Sequence, residues 1–240
     1  MGSTRLPGKV MRDLDGIPMI GYQLKRVRKS ALVSKVVVAT TTDESDNPLV
    51  AYLDTIAQEV VRGPLNDVLM RFLMVLDIYD PPYFVRITGD CPLVMPNLLD
   101  SMISEFESSS LDYLSNALNP SFPDGLDVEI VKTSALRRLN VMQLSEPERE
   151  HVTLGLYSSP RGFTLKNVNY SSDLSKERWT VDYPEDLEFI RRVVKHENAL
   201  KHIMSLEDVL KFLRDFPELR NKVSSDLRNE AIREWRTQFE

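Results

Sequence analysis

The strongest constraint on this chain is an alternation running from its start to about residue 110, in which a short apolar run breaks at a polar turn and gives way to helical spacing. "SKVVVATTTD" holds the continuous apolar run Val36 to Ala39 and ends at Asp43, while "YFVRITGDCPLV" holds Phe84 to Ile87, breaks at Gly89 and delivers Asp90. Apolar runs bounded by turn signals suit strands buried on both faces. Around them, Ile20, Leu24 and Val27 recur at i, i+4 and i+7, and Leu49, Leu53, Ile56 and Val60 keep a helical period. "DVLMRFLMVLDIY", with Asn66 as a cap, and "NLLDSMISEFES" predict two further helices. The pattern predicts an α/β fold with a mostly parallel sheet and helices on both faces, whose ligands lie beyond the carboxyl ends of strands. The loop after Val38 and Asp90 then fall on the ligand side.

From residue 111 the pattern changes. "DYLSN", "LDVEIV", "FTLKNVNY" and "RWTVDY" are short strand candidates interrupted by the helical "SALRRLNVMQL", and they extend the same sheet as a mixed half. Pro184 fits a first helical turn, followed by the amphipathic "EDLEFIRRVV". The expected organisation is one domain over residues 1–200 with a helical tail over 201–240, in which "SLEDVLKFLRDF" and "SSDLRNEAIREWRTQFE" are helices or partly frayed. No apolar run reaches the roughly 18 residues of a membrane span, and the N-terminus lacks a secretory apolar stretch, so a cytoplasmic protein without a membrane segment is expected. One cysteine, Cys91, and three histidines, His151, His196 and His202, leave no internal disulfide and no Cys/His zinc spacing.

Charge is unevenly distributed. Residues 1–35 hold eight Lys/Arg against Asp13 and Asp15, a surplus of +6, and since the whole chain carries −6 the remainder carries −12. A basic end on an acidic protein suits a phosphate-bearing small molecule rather than a nucleic acid, which needs a wide basic face. Lys25, Arg26, Arg28 and Lys29 also fit a simpler reading, that of cations solvating one helix face. The opening "GSTRLPGK" differs from a P-loop, because five residues separate Gly2 from Gly8 and Val10 stands where a magnesium-binding hydroxyl is required. What remains is a nest of backbone N–H groups from glycine and serine, with Arg5 and Lys9 to neutralise a polyphosphate; the alternative is a flexible basic terminus.

"TGDCP" sets Asp90 beside a glycine at a strand end, and "TVDYPED" sets Asp182 just before a helix. Mg²⁺ favours carboxylate oxygens together with substrate phosphates, so the two aspartates converging on one polyphosphate would form a metal-dependent transfer site. The alternatives are a turn former at Asp90 and an N-cap at Asp182. "FPDGLDVEIV" carries Asp124, Asp127 and Glu129, the last two on one strand face, and "EPEREHVT" adds Arg149, Glu150 and His151. Such residues can equally be solvated, a lone histidine is more often structural, and Cys91 reads as a small buried residue.

The segments "MGSTRLPGKVMRDLDGIPMIGY", "VVVATT", "VRGPLNDVLMRF", "VRITGDCPLV", "DYLSN", "FPDGLDVEIV", "EREHVT" and "RWTVDYPEDLEFI" follow one another in this order. Together they resemble the spore coat polysaccharide biosynthesis protein F group of the cytidylyltransferase family. The resemblance spans Met1 to about Val194 and leaves the chain beyond residue 200 uncovered. The opening loop and "GIPMI" are also similar to the deoxy-manno-octulosonate and, more distantly, the acylneuraminate cytidylyltransferases.

The resemblance implies a Rossmann-like nucleotidyltransferase fold of the nucleotide-diphospho-sugar transferase type, commonly dimeric. Its activity would couple CTP to a sugar, typically an acidic one, and release pyrophosphate. It places the triphosphate on the first loop, at Gly2, Ser3, Arg5 and Lys9, with Arg5 and Lys9 screening the leaving group. It places Mg²⁺ on Asp90 and Asp182, next to Gly89. Base and ribose map onto Thr40, Arg62, Gly63 and Asp67. The sugar is expected to meet the second half of the chain, where Asn116, Asp127, Glu129, Arg149, His151 and Arg178 are the candidates and a sugar carboxylate would favour Arg149 or Arg178. The alternatives are another nucleotide or a hexose phosphate as substrate, or a non-catalytic nucleotide-sugar binding module. Pro64 replaces a usual small hydroxyl residue, and Leu154 a common proline. Family members also carry a first strand and an arginine ahead of the loop. Their loss would uncover apolar surface on neighbouring strands at about 25 cal/mol per Å², and the expectation is a natural product that starts upstream, with Met1 an internal methionine.

Overall fold

The computed structural model describes residues 2–220. The opening loop runs into a 3₁₀ turn at Lys9–Met11 and then a small hairpin, β1 (Asp13–Leu14) and β2 (Ile17–Pro18). Asp15 and Gly16 both take positive φ, 55° and 93°, the turn geometry that matches the twist of two antiparallel strands and that Asp-Gly accepts at least cost. The hairpin delivers the chain into α1 (Met19–Val27), whose apolar stripe is buried as its spacing predicts.

β3 (Val38–Thr41) and β4 (Val60–Gly63) pair in parallel, Val38 opposite Val60. A second sheet has the order β5 (Tyr83–Arg86), β7 (Glu129–Lys132), β6 (Tyr113–Ser115), β8 (Leu165–Asn167). There β7 runs against both neighbours and β6 lies parallel to β8, so only β7 is reversed. Alternate residues of this sheet serve opposite faces. Val85, Leu114 and Ile130 pack with α4 (Pro96–Glu107), and Phe84, Tyr113 and Val131 pack with α3 (Val68–Tyr79) and α5 (Thr133–Asn140). Helices thus cover both faces, as expected.

Several expectations are corrected. The helical spacing through Val60 does not continue: α2 spans Asn47–Thr55, Ala57 turns to φ 51°, and Val60 begins β4. Asp67, rather than Asn66, caps α3 by accepting from Met70 N at 2.9 Å. "RWTVDY" contributes one isolated bridge, Asp124 to Arg178, in place of a strand. The strands form separate sheets, and among the described residues β3 and β5 each keep one edge without a strand partner. Val38, Ala39 and all of β5 are accordingly only half-buried.

A further core joins α1 to α8 (Pro184–Leu200) and α9 (Leu206–Asp215) around Trp179, Tyr22 and Leu14. α9 buries Leu206, Val209, Phe212 and Leu213 there, so the division expected at residue 200 falls inside a continuous core; "SSDLRNEAIREWRTQFE" lies outside the described residues. No helix of the described residues is long and apolar enough to cross a membrane.

Arg26 also departs from the solvated face expected for it. Its side chain is fully buried, ion-paired with Glu197 on α8, and donates to Val94 O at 2.8 Å and Met204 O at 2.8 Å. Tyr22 OH donates to the same carboxylate at 2.5 Å. Removing one partner of a buried, fully bonded pair strands the other charge. Glu197→Ala is expected to lower stability by about 3–5 kcal/mol, read as a fall in the urea midpoint.

Candidate active site

The opening loop is held at two points. Leu6 is buried in the α1–α8 core, and its N–H bonds Ser3 Oγ at 3.2 Å, while Gly2, Thr4, Arg5 and Pro7 stay exposed or half-exposed. Gly8, at φ 68°, reverses the chain into the 3₁₀ turn and sends Lys9 inward. Lys9 Nζ donates to Asp90 Oδ2 at 3.2 Å, Asp182 Oδ1 at 2.9 Å and Val181 O at 2.8 Å. The two aspartates singled out by the sequence and the loop cation thus meet at one point, where side-chain exposure is 29% for Asp90 and 25% for Asp182. Burial works against the Lys9 charge, but both carboxylates outweigh it and its pKa is raised. For Asp90, burial favours the neutral acid, yet Lys9 and the Thr88 hydroxyl reverse this and hold the pKa low.

Backbone geometry fixes the two aspartates. Asp90 O accepts from Val181 N at 2.9 Å and Thr180 Oγ1 at 3.2 Å, which ties the loop after β5 to the segment before α8. A Cβ at Gly89 would sit 3.3 Å from Val10 Cγ1, so this glycine lets the β5 loop lie against the turn carrying Lys9. Gly125, at φ 102°, brings the "FPDG" loop so close to Trp179 and Thr180 that a Cβ would meet Thr180 N at 2.4 Å. Cys91 is buried, its sulfur 3.2 Å from Thr88 Oγ1; burial first, then Asp90 and Asp127, push its thiol pKa up.

Arg178 departs from its expected place facing a sugar carboxylate. Its side chain is 2% exposed and its guanidinium is fully engaged. Nε and Nη2 grip Asp186 at 3.1 Å each, Nη1 bonds Asp124 at 2.8 Å, and Nη2 also bonds Asp182 Oδ2 at 2.9 Å. Asp186, fully buried, accepts the N–H groups of Asp182 and Tyr183, each at 2.9 Å. The arginine is therefore an internal counterion that aims Asp182. Arg5 lies over the ring of Tyr183, the residue next in sequence to Asp182, 5.4 Å from its centroid.

The remaining expected residues divide. Asn116 is buried and bonds Leu126 O and Val128 N, both at 2.8 Å, a structural brace rather than a surface for sugar. Glu129 is buried too, paired with Arg86 and accepting from Tyr113 OH at 2.6 Å and Thr153 Oγ1 at 2.5 Å. Burial foremost keeps the neighbouring His151 below its usual pKa. Asp127 lies within electrostatic reach of Cys91. Arg149 grips Asp67 at 2.8 and 2.5 Å, so a residue expected at the nucleotide and one expected at the sugar are partners. Thr40 is buried and donates to Asp46. Arg62 braces Thr41 O at 2.7 Å, Asp43 O at 2.9 Å and Asn47 at 2.9 Å. Gly63 is buried, and a Cβ there would meet Arg71 Cγ at 2.7 Å, so it serves packing of α3 on β4. The sequence reading does not place Asp186 in the site and gives Asp124 only as a polar residue of "FPDGLDVEIV"; for Asp186 the spacing of "RWTVDYPED", an arginine followed by aspartates at i+4 and i+8, carries the signal.

Arg178→Met leaves Asp124, Asp182 and Asp186 without their guanidinium. Removing one partner of a buried, fully bonded charge cluster strands the others. At Asp90 the folded pKa is held below the usual carboxylate value, so its contribution to stability, complete above the unfolded value, is lost as pH drops through the folded one. Arg178→Met is expected to lower stability by about 3–5 kcal/mol at neutral pH, read as a fall in the urea midpoint.

Residues 1–210 match the family model described as cytidylyltransferase. The chain is 32% identical to the spore coat polysaccharide biosynthesis protein SpsF of Bacillus subtilis, over 94% of this chain and 95% of that protein. A cytidylyltransferase structure from Leptospira borgpetersenii serovar Hardjo-bovis superposes with a TM-score of 0.83 at 29% identity, covering 93% of this chain and 94% of that one. CMP:2-keto-3-deoxy-manno-octonic acid synthetase, solved with CTP, gives a TM-score of 0.63 at 18% identity, over 82% and 95% of the two chains, and so shares the fold. On the family match over most of its length and on these relatives, the chain belongs to the cytidylyltransferase family and has its α/β nucleotidyltransferase fold.

Proposed function

We propose that the protein transfers CMP from CTP to a hydroxyl of a sugar, with a sugar acid as the expected acceptor, and releases pyrophosphate for surface glycan synthesis. The observation that carries the reading is the meeting of Lys9, Asp90 and Asp182 beside the exposed opening loop. Family membership and the relatives' activities support the nucleotide and the sugar class. A cytoplasmic homodimer is the assembly the resemblance implies.

The donor chemistry suits a divalent cation. Asp90 and Asp182 offer hard oxygens that already share one positive charge, the ligand type Mg²⁺ prefers. Among the described residues no group of three or more acidic, His or Cys side chains is placed to cage a metal, so an ion held here would complete its shell from phosphates and water. When bound, Mg²⁺ supplies charge neutralisation and a lowered pKa for the attacking hydroxyl.

The chain's own residues do the rest. Arg5 and Lys9 screen the charge that builds on the leaving pyrophosphate, since phosphoryl chemistry depends mostly on positioning and electrostatics. Arg178 and Asp186 keep Asp182 aimed at the phosphates. Asp127, Arg149 and His151 face the acceptor, with Arg149, 29% exposed, offering the charge for a sugar carboxylate. His151, its pKa lowered, enters as a neutral imidazole at pH 7.

Pyrophosphate release with each NTP and a panel of sugar acids and neutral sugars tests the reading. Turnover is expected with CTP and Mg²⁺, falling at least ~100-fold in Asp90→Asn and Asp182→Asn while both keep the wild-type circular dichroism spectrum. Turnover with another nucleotide in place of CTP, or unchanged rates in both variants, overturns it.

A further inference from the structure

Lys9 has two tasks in this site that it cannot perform at once. An ammonium has three donors, and those of Lys9 go to Asp90, Asp182 and Val181 O at 3.2, 2.9 and 2.8 Å. To reach a phosphate it must surrender at least one carboxylate. The same carboxylates are the hard oxygens open to a divalent cation, and a second cation cannot share them with the ammonium without strong like-charge repulsion. The buried cation beside it, Arg178, is committed to three aspartates and 2% exposed, so it cannot take over from Lys9.

From this we infer that Lys9 is a tethered occupant of the divalent-cation position, released only when metal and nucleotide arrive together. The inference rests on the metal and nucleotide reading above and adds an order to it. Metal alone would claim the carboxylates but leave a largely buried ammonium with only Val181 O, which is costly. Nucleotide alone would bring its phosphates against the partly exposed carboxylates of Asp90 and Asp182. With both present, the metal takes the carboxylates and the ammonium moves to the phosphates, so every charge is matched. Lys9 can make the move because it opens a short turn behind an exposed loop and carries its charge on a four-carbon stem. By linkage, the two ligands favour each other equally.

Mn²⁺ is a direct probe, its free concentration read by electron paramagnetic resonance on the full chain without nucleotide. Wild type is expected to bind Mn²⁺ weakly, and Lys9→Met at least tenfold more tightly, with the added affinity lost in Lys9→Met combined with Asp90→Asn. Lys9→Gln, whose amide can still donate to Val181 O, gives the same direction if the methionine variant does not fold, as checked by thermal melting. Equal, Asp90-dependent Mn²⁺ affinity in wild type and both Lys9 variants overturns the inference and leaves the metal site standing. Absence of Asp90-dependent Mn²⁺ binding in every protein, with CTP binding by calorimetry indifferent to Mg²⁺, overturns the metal reading itself and the inference with it.

Discussion

The Lys9 ammonium joins stretches that are 81 and 173 residues away along the chain. The opening loop, the turn after β5 and the approach to α8 have no β ladder among them, and a shared charge does the work a ladder would do. A cation between two carboxylates is favourable only where water is partly excluded and the partners are held in place. Leu6 anchors one side, the Asp90–Val181 backbone bond the other. Around Lys9 and Arg178 stand Asp90, Asp124, Asp182 and Asp186, two positive charges among four negative ones, a local field that draws cations while Arg5 on the rim draws phosphate.

α8 carries this arrangement into the body of the protein. Its first turn holds Asp186, bound to Arg178; near its far end stands Glu197, bound to Arg26. Ten residues of helix lie between the two carboxylates, a rise of about 16 Å, and each is buried against an arginine from outside the helix. The helix is therefore pinned at both ends by charge and along its length by Leu187, Ile190 and Val194. Helix α1, paired to Glu197, follows directly on the hairpin behind Lys9, so the packed pair of α1 and α8 sets both sides of the site.

Much of this was readable from residues alone. The i, i+4, i+7 stripe of α1, Pro184 at the head of α8 and the paired glycine and aspartate of "TGDCP" each follow from local chemistry. β4 was not readable, because Leu49, Leu53, Ile56 and Val60 satisfy a helical period whether or not the helix continues, and only the left-handed turn at Ala57 decides. The fate of Arg26 was hidden for a different reason: a charged residue on an amphipathic stretch looks solvated until a distant carboxylate is folded against it. Asn116 and Glu129 illustrate the same limit, since a polar residue on a strand signals either a ligand or a neighbouring backbone, and spacing does not separate these.

Cys91 sits next to Asp90, yet burial and the surrounding aspartates keep its thiol protonated. A thiol in that form is a poor nucleophile. Slow labelling of Cys91 by maleimides and slow oxidation to a sulfenic acid by mild peroxide are the consequence expected of that environment.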